Sequence, residues 1–137
     1  MTEANAAHHE VMLWLRFAAE DAQSAAALLK AAAGVPRNAC YLAQQAVEKA
    51  LKAVLVFEGL PVPRTHDLTL LAVQLPNGWQ VAATAADLAI LSEWAVAPRY
   101  PGDMPEATQG DATAALSLTT GLVDDIVHQF ATRGLRL

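Results

Sequence analysis

Tyr41-Leu42-Ala43-Gln44-Gln45-Ala46-Val47-Glu48-Lys49-Ala50-Leu51-Lys52-Ala53 has two unlike faces. Ala39, Ala43, Val47, Ala50, Val54 and Phe57 recur at helical spacing and make one apolar stripe. Tyr41, Gln44, Gln45, Glu48, Lys49 and Lys52 recur in the same way on the other side. The period predicts a helix from about Arg37 to Phe57, stopped by Gly59-Leu60-Pro61-Val62-Pro63. Glu48 and Lys52 sit one turn apart and form an i,i+4 ion pair. On a solvated face that pair is worth about 0.2–0.5 kcal/mol.

Working upstream, Val11, Leu15, Ala18, Ala22, Ala25, Leu29 and Ala32 make a narrow apolar seam, which Trp14, Phe17 and Leu28 broaden. A first helix is expected from about His9 to Ala33, closed by a left-handed Gly34 before Pro36. Downstream, a short helix is expected from His66 to about Leu75, capped by Thr65 or Asp67 and closed by Pro76-Asn77-Gly78. A fourth is expected from roughly Thr84 to Ala97, carrying Leu88, Leu91 and Trp94. A turn-rich loop, Arg99-Tyr100-Pro101-Gly102-Asp103-Met104-Pro105, then leads into a last helix from about Glu106 to Thr132. Gly121 inside that helix suits close packing against a neighbour, since glycine there costs about 1 kcal/mol relative to alanine.

The expected fold is therefore all-α: an up-and-down bundle of about five helices, three long and two short, spanning 1–137 as one domain. Composition agrees, with 54% hydrophobic and 17% charged residues among 137, too apolar for a disordered chain. Alanine-rich faces leave apolar stripes partly unconsumed, so a homodimer is expected. No apolar run approaches the roughly 20 residues of a membrane span, and the start of the chain lacks a signal-peptide pattern. One cysteine, Cys40, excludes a disulfide scaffold and suits a reducing compartment, so a cytoplasmic location is expected.

A formal charge of −5 argues against general DNA binding. The distribution is uneven, however. Arg37, Lys49, Lys52 and Arg64 outnumber Glu48 and Glu58 in the central stretch, while the last helix is acidic. Among chemical motifs, neither GxxxxGK nor GxGxxG occurs. His8, His9, His66 and His128 fall in no metal-ligand spacing, so neither a metal nor a cofactor is expected. Ser24, Ser92 and Ser117 lie in helical stretches without a nucleophile elbow. Cys40 reads as a small core residue.

Three segments remain: the helix-two face, Thr65-His66-Asp67-Leu68 behind Arg64, and Arg99-Tyr100-Pro101-Gly102-Asp103. Taken singly they read as a solvated helix face, a cap made by Asp67 and a turn. In that order and spacing, over most of the chain, they resemble the HEPN family of small helical bundles. The resemblance implies a bundle with extra short helices, commonly a homodimer, that binds a nucleotide or RNA. It also implies pairing with a minimal nucleotidyltransferase in toxin–antitoxin-like systems. In a second branch it implies metal-independent ribonuclease activity, carried by Arg followed after four to six residues by His.

That pattern is absent here, since no histidine stands at the required positions after Arg16, Arg37, Arg64 or Arg99. The expected site has Lys49, Lys52, Arg64, His66 and Arg99 converging on phosphate and Tyr100 stacking on a base or ribose. Glu48 would tether Lys52, with Asp67 and Asp103 orienting the cations. His66 is the candidate for catalysis, if a divergent ribonuclease is the alternative. A ligand-free interaction module, whose polar residues staple helix ends, is the remaining one. The arrangement depends on the three segments meeting in one cleft.

Overall fold

Pro36 opens α2 (Pro36–Phe57), its ring presetting the helical φ at a position whose amide would have no partner. Other helices pack around α2. Ala39, Cys40, Ala43, Ala46, Val47, Ala50, Leu51, Ala53, Val54 and Leu55 are all buried, more than a single stripe supplies. The computed structural model describes residues 2–32, 34–95 and 106–137, and every regular element among them is a helix. No helix among the described residues is long and apolar enough to cross a membrane.

α1 (Glu3–Ala31) covers one side of α2. His8 stacks on Phe57, ring centroids 5.9 Å apart, and Lys49 pairs with Asp21, so the two helices run antiparallel. α5 (Gln109–Thr132) covers a second side in the same sense as α2. Thr119 Oγ1 donates to the Ala43 carbonyl at 3.0 Å, and Phe130 meets Phe57 edge-on at 5.3 Å. The chain must climb back between them. The connection 58–67 starts that climb and brings His66 up to Gln44. α3 (Leu68–Val73) then runs back toward the Phe57 end and α4 (Ala85–Glu93) climbs again, a short hairpin laid against α2. The Leu68 amide donates to Ser92 Oγ at 2.9 Å and ties the two short helices together. The result is the up-and-down bundle the apolar periods predict, with a short helical hairpin in place of a fourth long helix.

Local sequence sets the ends of these helices. α1 begins at Glu3 rather than near His9, because Thr2 accepts the Asn5 amide at 3.1 Å and supplies a cap. It ends where Ala32 turns left-handed at φ 49°, before Gly34, which was expected to make that turn. Phe17 and Ala32 of the expected seam are exposed, whereas Val11, Leu15, Ala18 and Ala25 are buried. Capping boxes start α4 (Thr84 with Asp87) and α5 (Thr108 with Asp111). The expected extension of α4 beyond Ala95 falls outside the described residues. Gly121 does not pack closely: among the described residues, a Cβ there would meet no atom of another element within 4 Å.

The far end of the bundle is closed by a residue the apolar periods did not single out. Trp79 is buried between Phe57 and Phe130, 6.1 and 4.8 Å between centroids, and its indole N–H donates to Glu58 at 2.7 Å. The Arg133 guanidinium covers the ring at 3.8 Å.

Candidate functional site

The centre of the polar face of α2 is buried, although Tyr41 at its start stays exposed. Gln44 is 0%, Glu48 5% and Lys52 9% exposed, because the α2–α3 connection returns across that face. Helical spacing stacks the three side chains one turn apart. Gln44 Nε2 donates to Glu48 Oε1 at 3.2 Å, and Lys52 Nζ donates to Glu48 Oε2 at 3.0 Å. The connection then adds His66, whose Nδ1 lies 2.7 Å from Glu48 Oε1. Gln44 Nε2 also donates to the His66 carbonyl at 3.0 Å, and Gln45 Nε2 donates to Gln44 Oε1 at 2.6 Å. Both the backbone and the ring of His66 are thereby fixed to α2, while its side chain stays 62% exposed.

Glu48 sets the protonation logic. Burial alone would raise its pKa, but hydrogen bonds from His66, Lys52 and Gln44 outweigh that and hold it below the usual carboxylate value. An ionised carboxylate accepts and cannot donate, so the proton of the 2.7 Å contact belongs to His66 Nδ1. A neutral His66 is then the Nδ1–H tautomer, with the Nε2 lone pair free to take up a proton. A carboxylate orienting an exposed imidazole is an arrangement suited to proton transfer or to a switchable hydrogen bond.

The other candidate residues divide clearly. Lys49 leaves this row and pairs with Asp21 of α1, a half-buried interhelical contact. Asp67 caps α3, accepting from the Thr69 and Leu70 amides and from the Thr69 hydroxyl, and these bonds, the hydroxyl first, lower its pKa. Arg64 is exposed on the same connection, two residues before His66. Arg99, Tyr100 and Asp103 lie outside the described residues. Glu48, Lys52 and His66 are therefore the candidate residues that the structure joins directly, through the Glu48–Lys52 ion pair and the Glu48–His66 contact.

Gln44 and Ser92 are the partners that sequence reasoning left out of the site. Gln44 was visible as the next residue up the Glu48 row, but its bond to His66 spans 22 residues. Ser92 anchors the far side of the connection by accepting the Leu68 amide, a bond that no local pattern signals. Cys40 is inert by position: burial first, then the Asp111 charge, push its thiol up to about 11. Among the described residues no cluster of His, Cys, Asp and Glu could hold a metal ion. A groove of about 220 Å3 between α4 and α5 is mainly apolar, and its Asp87 and Asp111 carboxylates already close capping boxes.

No curated protein matches the chain. Among solved structures it is similar to TT1696 from Thermus thermophilus, with 26% identity and a TM-score of 0.73 over 87% of this chain and 97% of that one. It is also similar to ST0689, described as an archaeal HEPN homologue, with 25% identity and a TM-score of 0.64 over 87% of this chain and 96% of that one. The model of the HEPN domain matches residues 11–129, which takes in all of α2, the His66 connection and nearly all of α5. With its bundle, its relatives and that match in agreement, the chain belongs to the HEPN domain family.

Proposed function

We propose that residues 1–137 form a single HEPN-type accessory domain that binds a nucleotide or RNA phosphate in the cytoplasm. In this reading the domain is a homodimer and pairs with a minimal nucleotidyltransferase in a toxin–antitoxin-like system. The observation that carries the proposal is the buried row Gln44–Glu48–Lys52 holding one exposed imidazole. Stability alone does not account for such a row, since well-packed apolar side chains of similar volume generally serve stability as well or better. Its specific product is a fixed His66 beside the exposed Arg64. In the proposed site His66, Arg64 and Arg99 contact phosphate, with Lys49 and Lys52, each held in an ion pair, lining the face behind them. Tyr100 stacks on the base or ribose, and Asp67 and Asp103 orient the cations.

Titration of ATP, GTP and a short RNA against wild type and the His66→Ala, Lys52→Ala and Arg99→Ala variants is the test. Weakened binding in the variants supports the site, and wild-type affinity in all three removes these residues from it. Pairing is tested separately, by mixing the domain with a purified minimal nucleotidyltransferase and following co-elution by light scattering.

The contact between Glu48 and His66 also favours a second reading, a divergent metal-independent ribonuclease. His66 Nε2 would take the proton of a 2′-hydroxyl as its oxygen attacks phosphorus. The same proton would then pass to the departing 5′ oxygen, leaving a 2′,3′-cyclic phosphate. RNA cleavage in the presence of a chelator that vanishes in His66→Ala supports this reading. Intact RNA after long incubation with concentrated protein counts against it.

A further inference from the structure

Granted the phosphate-binding reading, on which this inference rests, the two lysines nearest His66 on α2 offer an anion no unshared charge. Lys52 is neutralised by Glu48, and Lys49 by Asp21. On the connection itself the Asp67 carboxylate is engaged in capping α3. On α4, next to Ser92, stands the exposed Glu93. Arg64 is the exposed cation that flanks the ring.

His66 is the group whose state changes that balance. Its Nδ1 is committed to Glu48, its backbone is held by Gln44, and its ring is 62% exposed. In the neutral ring the outward nitrogen, Nε2, carries a lone pair, which repels a phosphate oxygen. In the imidazolium the same nitrogen carries a hydrogen and a share of a positive charge, and becomes a charge-assisted donor. Glu48 holds the ring through Nδ1 and does not compete for Nε2. We propose that His66 makes anion binding conditional on a proton: the imidazolium donates Nε2–H to a phosphate oxygen, and the neutral ring releases it. Glu48 acts here as a positioning residue, fixing which nitrogen faces the ligand.

Sulfate is the right first probe, because its own charge does not change between about pH 5.5 and 8.5, where an imidazole titrates. A short oligouridylate, whose diester phosphates also hold their charge, is the second probe. Above the His66 midpoint, affinity for either probe should fall by about tenfold per pH unit, as one linked proton requires. By the same linkage, saturating sulfate should raise the His66 midpoint read from its imidazole NMR signals, assigned with His66→Asn. Binding by His66→Asn should be weak and independent of pH. Glu48→Gln should move the midpoint to lower pH while keeping the affinity of the acidic limit, a displacement that a merely structural role for Glu48 would not produce. If that variant does not fold, the sulfate-induced shift in wild type decides alone.

Binding that is equally tight at both ends of the range, or that keeps its pH dependence in His66→Asn, overturns the inference and leaves the phosphate reading standing. Absence of binding by both probes at every pH overturns both.

Discussion

Glu48 occupies a position where water would otherwise satisfy its oxygens, and Gln44, Lys52 and His66 replace that water. Removing the carboxylate leaves an ammonium buried without its partner. Glu48→Ala should therefore cost about 3–5 kcal/mol in urea unfolding, whereas changing Glu48 and Lys52 together to Leu and Met should recover most of it. The pH dependence follows from the sign of the shift. The folded-state pKa of Glu48 lies below its unfolded value, so its contribution is complete above the ordinary carboxylate range and disappears as pH falls through the depressed value. Wild type should lose stability more steeply than Glu48→Gln on acidification, and parallel acid-unfolding curves would contradict this. Cys40 offers an independent check on the inner face of the same helix. With its thiol pushed up to about 11 and its side chain buried, it should react with a thiol reagent near neutral pH only through unfolding, so the rate should follow stability across variants.

Helix ends and helix surfaces carry separable energies. Thr84, Thr108 and Asp67 each cap a helix through a side-chain oxygen, and each change to alanine should lower stability by about 1 kcal/mol. Asp67→Ala is the informative member of the set. If Asp67 serves the cap alone, the variant melts lower but binds nucleotide as wild type does, whereas an orienting role would weaken both. Gly121 makes the opposite case. It lies exposed within α5, and a Cβ there meets open space, so Gly121→Ala should raise stability by about 0.5–1 kcal/mol. A lower melting temperature for that variant would mean that a second copy packs closely against this stretch of α5. Sequence alone favoured close packing at Gly121 because a mid-helix glycine has a cost. The cost is real, but among the described residues no neighbouring helix comes near enough to account for it.

Across the whole molecule, legibility follows the distance over which an interaction acts. The five helices could be read because apolar period, Pro36 and the Pro61–Pro63 stop act within a few residues. The pair Glu48–Lys52 was legible for the same reason. Burial of their face was not, because the chain that covers it arrives some twenty residues later, through the bond from Gln44 to the His66 carbonyl. Trp79 escaped notice likewise. It follows Pro76-Asn77-Gly78, which reads as a simple stop, and its value comes from α2 and α5 closing around it. The tie between this connection and the end of α5 is made by exposed polar groups. Arg133 covers the Trp79 ring and donates to the Gly78 and Gln129 carbonyls at 2.8 and 2.9 Å. The Gln129 side chain donates to the Gln80 carbonyl at 2.8 Å and accepts its amide at 2.9 Å. Trp79→Ala, which empties a buried site, should cost about 3–5 kcal/mol and destabilise the entire bundle. Arg133→Ala removes an exposed cation–π contact and should cost about 1 kcal/mol. Its effect should be local: hydrogen exchange should accelerate at the Gln80 amide while amides around Gln44 and Glu48 keep their protection. Uniform acceleration throughout the chain in Arg133→Ala would show that this end of the bundle does not open separately from the His66 site.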